Sequence, residues 1–359
     1  MIIAFISRIF IQKVWCTKNI FSLFLLPLSW LYIFLVQLRY LLYDLGVFSV
    51  VKINVPVIIV GNIVIGGTGK TPLVIWLAEH FREKGFSPGV ISRGYGGTYT
   101  LDIELVKPTS DPLLVGDEPI VIARNTHCPV IVGKDRGKAA KELVERYKCD
   151  IILSDDGMQH YSLARDIEII VIDAERPFGN GYCLPAGPCR EPKLRPFFDA
   201  DFIVNAYKED IDIFRNDLVD RLQLAYTSAG IMDYQPSIIM HYIYKELAPV
   251  SESTKSILLS DLQGMTVHAV AGIHNPAYFF SYLRKQKLDL IIHQFSDHHI
   301  FTENDIKFDD NLPVVMTEKD AVKCFKFSDS RHWYVPVKAE LTESFAYDLD
   351  KYMEKISNG

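Results

Sequence analysis

The run VPVIIV at 55–60 breaks into GNIVIGGTGKTP and then into TPLVIWLAEHFREKG, whose apolar residues return at helical spacing. A buried strand that turns through glycines into a helix opening on Gly-Lys-Thr restricts the fold more than any other feature of this chain. Successive backbone N–H groups of Gly66, Gly67, Thr68 and Gly69 can form a nest for phosphate oxygens, with Lys70 as a point charge and Thr71 as a hydroxyl ligand for magnesium. Val64 stands where the full phosphate-loop pattern has its first glycine, and three glycines remain inside the loop. The competing reading, a glycine turn that merely packs, does not account for the helix that follows. Pro72 suits the first turn of that helix and Gly85 its exit.

Beyond this unit, strand and helix signals alternate. SPGVISRGYGG and CPVIVG (128–133) read as strands, DRGKAAKELVERYKC as a charged amphipathic helix, and CDIILSDDGMQH and RDIEIIVIDA as two buried strands ending in acid. ADFIVNAY adds another strand. Continuous apolar strands separated by helices predict an α/β fold with a parallel sheet covered on both faces. The stretch 179–196 is a long loop dense in glycine and proline, and such loops are functional or disordered. PSIIMHYIYKELAPV (236–250) alternates like an extended ribbon, and a second α/β pattern follows, so a domain change is expected between 226 and 258. ELTESFAYDLDKYMEKI closes the chain with helical spacing.

Hydrophobic residues make up 49% of the 359 positions, a high share for a wholly soluble protein. The excess gathers at Ile20–Leu38, IFSLFLLPLSWLYIFLVQL, nineteen residues without a charge and long enough to cross a hydrocarbon core. Trp30, Tyr32 and Tyr40 suit an interface and Pro27 would kink a helix; a buried core helix is the alternative. The run is too long, and starts too late, for a cleaved signal peptide. Arg8, Lys13 and Lys18 precede it, so a single crossing under the positive-inside rule would export everything downstream. An ATP-using body needs the cytosol, which favours a segment lying in the inner leaflet or forming a hairpin there with MIIAFISRIFI. A net charge of −6 argues against nucleic acid as a partner. The six cysteines include no Cys-x-x-Cys pair, consistent with reduced thiols and no zinc.

A nucleotide site needs a metal-holding carboxylate at the end of a neighbouring strand, and Asp155 and Asp156 supply it in the manner of a Walker B element. Gln159 and His160 lie one turn further on, where they can orient water or substrate. A kinase must also accept the proton of its acceptor hydroxyl. Asp117 in VGDEP and His298 in SDHH are candidates, since an Asp–His pair raises imidazole basicity and fixes its tautomer. Either motif alone also fits an ordinary turn or surface position. Arg93 and Tyr95 in SRGYGG and Arg190 and Glu191 in CREP are further candidates for phosphate or metal contacts, against local loop packing.

VGNIVIGGTGKTP, SRGYGG, GDEP, DDGMQH, GPCREP, DHH and TEKDAVK occur here in an order that resembles the tetraacyldisaccharide 4'-kinases, the lipid A kinases of Gram-negative bacteria. The resemblance runs from about Leu45 to Pro336 and includes an apolar N-terminus. It implies an inner-membrane enzyme on the cytoplasmic face that moves the γ-phosphoryl group of ATP to the 4'-hydroxyl of a tetraacylated glucosamine disaccharide 1-phosphate, forming lipid IVA. The implied cofactors are ATP and Mg2+, and the implied partner is a membrane-embedded glycolipid, with no nucleic acid and no obligate protein partner.

The implied fold is α/β. It has an N-terminal membrane-associated segment (1–44), a P-loop kinase domain (45–235), a β-ribbon linker (236–250), a smaller α/β domain (251–341) and a C-terminal helix (342–359). The resemblance assigns Lys70 and Thr71 to phosphate and magnesium, Asp155 and Asp156 to the Walker B region, and Glu191 to the neighbourhood of the metal. It makes Asp117 and His298 a catalytic dyad, expected on different domains so that catalysis awaits closure. A different class remains in view: a membrane-associated P-loop ATPase acting as a partner switch. That class carries a lysine directly before the glycine pair, where this chain has Ile65, and gives GDEP and DHH no task.

Overall fold

The computed structural model describes residues 15–99, 101–192, 199–207, 215–228, 230–231, 237–244, 246–251 and 255–358. Along the chain the first elements are α1 (Ile20–Phe24), α2 (Leu26–Asp44), β1 (Val57–Gly61), α3 (Lys70–Glu83), β2 (Pro88–Ser92), β3 (Ile103–Val106), α4 (Pro112–Val115) and α5 (Asp117–Thr126). Then come β4 (Val130–Gly133), α6 (Arg136–Glu145), β5 (Ile151–Asp155), β6 (Ile167–Asp173), β7 (Phe202–Tyr207), α7 (Arg215–Ser228), β8 (Ile238–Ile243) and β9 (Glu246–Pro249). The rest are β10 (Ile257–Leu258), β11 (Thr266–Ala271), α8 (Pro276–Lys285), β12 (Asp289–Gln294), α9 (Glu303–Ile306), β13 (Val314–Thr317), α10 (Glu318–Cys324), β14 (His332–Val335), β15 (Lys338–Leu341) and α11 (Glu343–Asn358). The chain divides into two compact units. One comprises Met1–Leu73, Asp150–His241 and Glu340–Gly359, and the other Val74–Cys149 and Tyr242–Ala339.

In the first unit, β8, β7, β6, β1 and β5 lie side by side in that order, every neighbouring pair parallel. Their β-branched residues are buried on both faces, which is why these strands read as continuous apolar runs rather than alternating ones. The β1–β5 register sets Val60 opposite Asp155, so the carboxylate ends its strand beside the start of the glycine loop. One core cluster joins Ile63, Met158, Ile170, Phe178, Leu222 and Tyr226. Helix α11 buries Phe345, Leu349 and Met353, one position per turn, with Phe345 set edge-on to Phe202.

Pro27 does not kink a continuous helix. The chain breaks at Leu25, and Pro27 enters the first turn of α2, where its missing N–H costs no hydrogen bond. Helix α2 is long and apolar enough to span a membrane, and almost none of it is buried. Leu28, Leu31, Phe34 and Leu41 point to solvent, so the core-helix alternative is set aside. Tyr32 and Ile33 of α2 pack against the core cluster, and a polar seam joins them: Ser29 Oγ donates to the Cys183 carbonyl at 2.8 Å, and the Tyr32 hydroxyl to the Arg190 carbonyl at 2.6 Å. Trp15 Nε1 donates to the Pro185 carbonyl at 3.0 Å. The expected second apolar piece, 1–11, lies outside the described residues.

In the second unit, β2 and β4 pair parallel and β3 joins β4 antiparallel. A separate six-stranded sheet runs β10-β9-β14-β13-β11-β12. Its centre is parallel, and β9 and β10 are antiparallel additions. Of the stretch read as a ribbon, 238–243 continues the parallel sheet beside β7, while 246–249 pairs with β14; residues 236 and 245 lie outside the described ones. The six cysteines are free thiols.

Candidate active site

The glycine loop leaves β1 with Gly61, where an added Cβ would collide with the Met158 side chain. Gly66 and Gly69 adopt φ of 135° and 97°, conformations that L-residues rarely take, so glycine is required at both. The buried Asn62 side chain braces the loop, its Nδ2 donating to the Val64 carbonyl at 2.6 Å and to Thr68 Oγ1 at 3.0 Å. The outer arm pairs with the segment below α2: Ile65 N–H donates to the Pro188 carbonyl at 3.0 Å, and Arg190 N–H to that of Ile63 at 2.7 Å. A Cβ at Gly67 would meet nothing within 4 Å, so the turn faces open space. Lys70 and Thr71 open α3, whose first amides and dipole favour an anion at that end.

Asp155 is buried at the end of β5, and Asp156 follows with φ of 49°. Asp156 Oδ1 lies 3.5 Å from Lys70 Nζ and 2.8 Å from Arg190 Nη1. Gln159 Nε2 donates to the fully buried Glu191 carboxylate at 2.8 Å, and its Oε1 accepts from Arg190 at 3.3 Å. The Tyr161 hydroxyl reaches Glu191 Oε2 at 3.3 Å. Lys70, Asp156, Gln159, Arg190 and Glu191 therefore form one connected polar network. His160 differs: its backbone carbonyl accepts from Arg165 Nη2 at 2.8 Å, and its N–H closes a turn onto Gly157.

Among the described residues no three His, Cys, Asp or Glu side chains converge to hold an ion. An all-protein cage is thus not built here. Hard oxygens are present, from Thr71, Asp155, Asp156 and Glu191, and Asn62 Oδ1 is buried without a hydrogen-bond partner. One or two carboxylates plus phosphate and water oxygens is the way magnesium is held in nucleotide sites, and these residues fit that mode.

In the second unit, Asp117 begins α5 and is buried, while His298 stands in a turn after β12 with φ of 58°. Nδ1 of His298 lies 3.2 Å from Asp117 Oδ2, and Asp117 Oδ1 accepts from the Glu118 N–H at 2.9 Å. Burial would push the Asp117 carboxyl up, but the His298 hydrogen bond and the charges of Lys319, His298 and Lys323 outweigh it and hold the group at about 2. The same hydrogen bond raises the imidazole above its ordinary value, against burial. Tyr95 sets its ring 5.2 Å from the imidazole, and Arg93 is exposed two residues earlier. His299 instead turns to Asp305 and stacks on Phe295. Asp117 and His298 fall in the same compact unit and are in contact there.

The family model for tetraacyldisaccharide-1-P 4'-kinase matches residues 21–354. The chain belongs to this kinase family. A tetraacyldisaccharide 4'-kinase of Methylobacillus flagellatus is 43% identical over 350 residues, 96% of this chain and 97% of the relative. One from Nitrosococcus oceani is 42% identical over 347 residues, covering 97% of this chain and 95% of the relative. A solved LpxK from Aquifex aeolicus in complex with ATP superposes with a TM-score of 0.75 at 25% identity, covering 94% of this chain and 99% of that one. The α/β architecture expected from the sequence is thus the architecture of a known member of the tetraacyldisaccharide 4'-kinases. Tyr161 escaped the sequence reading of this family member, and Asn62, Lys319, Asp320 and Lys323 lay inside quoted motifs without being given a role. Asn62 also left a trace as the polar residue that follows an otherwise apolar strand.

Proposed function

We propose that the chain transfers the γ-phosphoryl group of ATP to the 4'-hydroxyl of a tetraacyldisaccharide 1-phosphate, giving lipid IVA. The observation that carries this reading beyond nucleotide binding is the hydrogen bond between Asp117 and His298. A partner-switching ATPase needs no base for an acceptor hydroxyl, whereas a sugar hydroxyl is a poor nucleophile until its proton has somewhere to go.

Amides of Gly66, Gly67, Thr68 and Gly69 cradle the phosphates, and Lys70 neutralises charge on the group in transfer. Thr71, Asp155 and Asp156, with Glu191 nearby, would hold magnesium, which would supply charge neutralisation and alignment of the phosphate oxygens. Arg190 and Gln159 orient those carboxylates. Lys70 and Arg190 both pair with Asp156, which keeps the lysine ammonium at the mouth of the glycine loop. Arg93 and Tyr95 serve the substrate beside the dyad, and His160 orients the Walker B turn through its backbone.

The exposed apolar face of α2 supports an inner-membrane location on the cytoplasmic side, with residues 1–44 meeting the bilayer that holds the glycolipid. Residues 45–235 serve as the P-loop kinase domain, 236–250 as the linker, 251–341 as the smaller α/β domain and 342–359 as the closing helix. The test is purified protein in detergent with γ-labelled ATP and the acceptor disaccharide. Label in the lipid is expected; ATP hydrolysis without lipid labelling would favour the switch.

A further inference from the structure

The TEKDAVK segment (317–323) has no part in the transfer as derived so far, yet its side chains reach both members of the dyad by two routes. The first is mechanical. Thr317 caps α10, its Oγ1 accepting the Asp320 N–H at 3.3 Å and donating to Asp320 Oδ2 at 2.6 Å. Asp320, fully buried, also accepts the Gly272 N–H at 2.8 Å. The Gly272 carbonyl in turn accepts the N–H of His298 at 3.2 Å. His298 sits in the left-handed region, which an imidazole residue leaves unless its surroundings hold it.

The second route is electrostatic. Lys323 Nζ lies 2.7 Å from Asp320 Oδ1 and 3.9 Å from Asp117 Oδ2, with its ammonium over the Phe301 ring. Lys319 pairs with Glu118, the neighbour of Asp117. Two ammonium groups from one helix therefore stand beside the carboxylate. Facing the imidazole are Asp117, the Tyr95 ring and Asp297, whose Oδ1 is 3.8 Å from His298 Nε2 and whose Oδ2 is 3.8 Å from His274 Nδ1.

We propose that α10 is the positioning element of the dyad: Asp320 fixes the backbone of His298 through Gly272, and Lys319 and Lys323 keep Asp117 anionic, so that Nε2 of His298 takes the proton of the acceptor hydroxyl. An anionic Asp117 can only accept, so it holds the hydrogen on Nδ1 and leaves the Nε2 lone pair available. The lysines also limit the basicity that Asp117 confers, because an imidazolium forming beside them is repelled. Asp117 and the lysines act in opposite directions on the same nitrogen, and their balance brings the base toward neutral pH, where general-base catalysis is most efficient. This inference rests on the reading of Asp117 and His298 as the proton-accepting pair.

The experiment is the pH profile of kcat for the full chain in detergent, with ATP, magnesium and the tetraacyldisaccharide 1-phosphate. Lys319→Met and Lys323→Met are compared with the parent, Lys319→Arg and His298→Ala. Removing a neighbouring positive charge raises the proton affinity of the pair, so the acidic limb moves up by about half to one pH unit in each methionine variant. Lys319→Arg keeps the limb at its parental position. A limb that stays put while kcat falls equally at every pH overturns the proposal. Should Lys323→Met fail to fold, the partly exposed Lys319 decides alone. His298→Ala with near-parental turnover would remove the dyad reading itself, whereas a dead His298→Ala alongside unmoved limbs removes only the role of α10.

Discussion

Nδ1 of His298 stands 3.2 Å from Oδ2 of Asp117, 181 positions away in sequence. The contact couples a carboxyl held at about 2 to an imidazole raised above 6.5, so neither group titrates at its ordinary value. Turnover requires the imidazole neutral, so kcat should fall as pH drops through a value above 6.5. Asp117→Asn should lower turnover by about two to four powers of ten, because the amide neither fixes the tautomer nor supports the imidazolium. A defect confined to the apparent affinity for ATP would reassign Asp117.

The same shifts make stability depend on pH. The raised His298 contributes stability fully present below 6.5 and lost as pH rises through its folded value. The depressed Asp117 contributes stability present above 3.8 and lost as pH falls toward about 2. Thermal melting in His298→Ala should therefore lack the part of the decline above pH 6.5 that the parent shows. Parallel melting curves for the two proteins would contradict this.

Lys70→Ala should remove most transfer while leaving the melting temperature within a few degrees of the parent. Its ammonium, 3.5 Å from Asp156, leaves that carboxylate still paired with Arg190 when deleted. Near-normal transfer in this variant would refute the phosphate-loop role.

Gly272→Ala places a methyl group 3.1 Å from Asp320 Oδ1, 3.2 Å from the Ser296 carbonyl and 3.3 Å from the Phe301 ring. Backbone on one side and a buried carboxylate on the other leave little room to yield. Turnover should drop by at least tenfold, with the KM for ATP unchanged, because the displaced group is the His298 turn. Steady-state kinetics that show a raised KM alone would argue against it.

Deleting residues 1 to 42 should impair action on bilayer-embedded lipid more than on a dispersed short-chain analogue. Tyr32→Phe, which removes only the hydrogen bond to the Arg190 carbonyl, should lower turnover on both substrates alike. Equal losses from the deletion would assign the segment to folding.

The legible parts of this molecule were those whose cause is local. A buried strand, three glycines and a lysine stand within twenty positions, and their backbone conformations follow from sterics, so the phosphate loop could be read directly. The position of Asp155 and Asp156 at the end of a buried strand was legible for the same reason. The Asp117–His298 pairing could be raised only as a candidate, since spacing carries no information across so long a separation, and the resemblance is what promoted it. Asp320, Lys319 and Lys323 stood in a quoted motif, but their role could not be read because it arises where α10 packs against α5, a tertiary relationship no periodicity reveals. Pro27 misled for a geometric reason: it sits inside an apolar run, but the helix starts beside it instead of bending around it.

The seam that fastens α2 runs through Ser29 and Tyr32 to the carbonyls of Cys183 and Arg190, and residues 188–190 themselves hold the outer arm of the glycine loop. A force that tilts this helix thus has a short main-chain route to the glycine loop, beside the route through the core that Tyr32 and Ile33 touch. An agent wedged along the seam should disturb the loop from outside its turn.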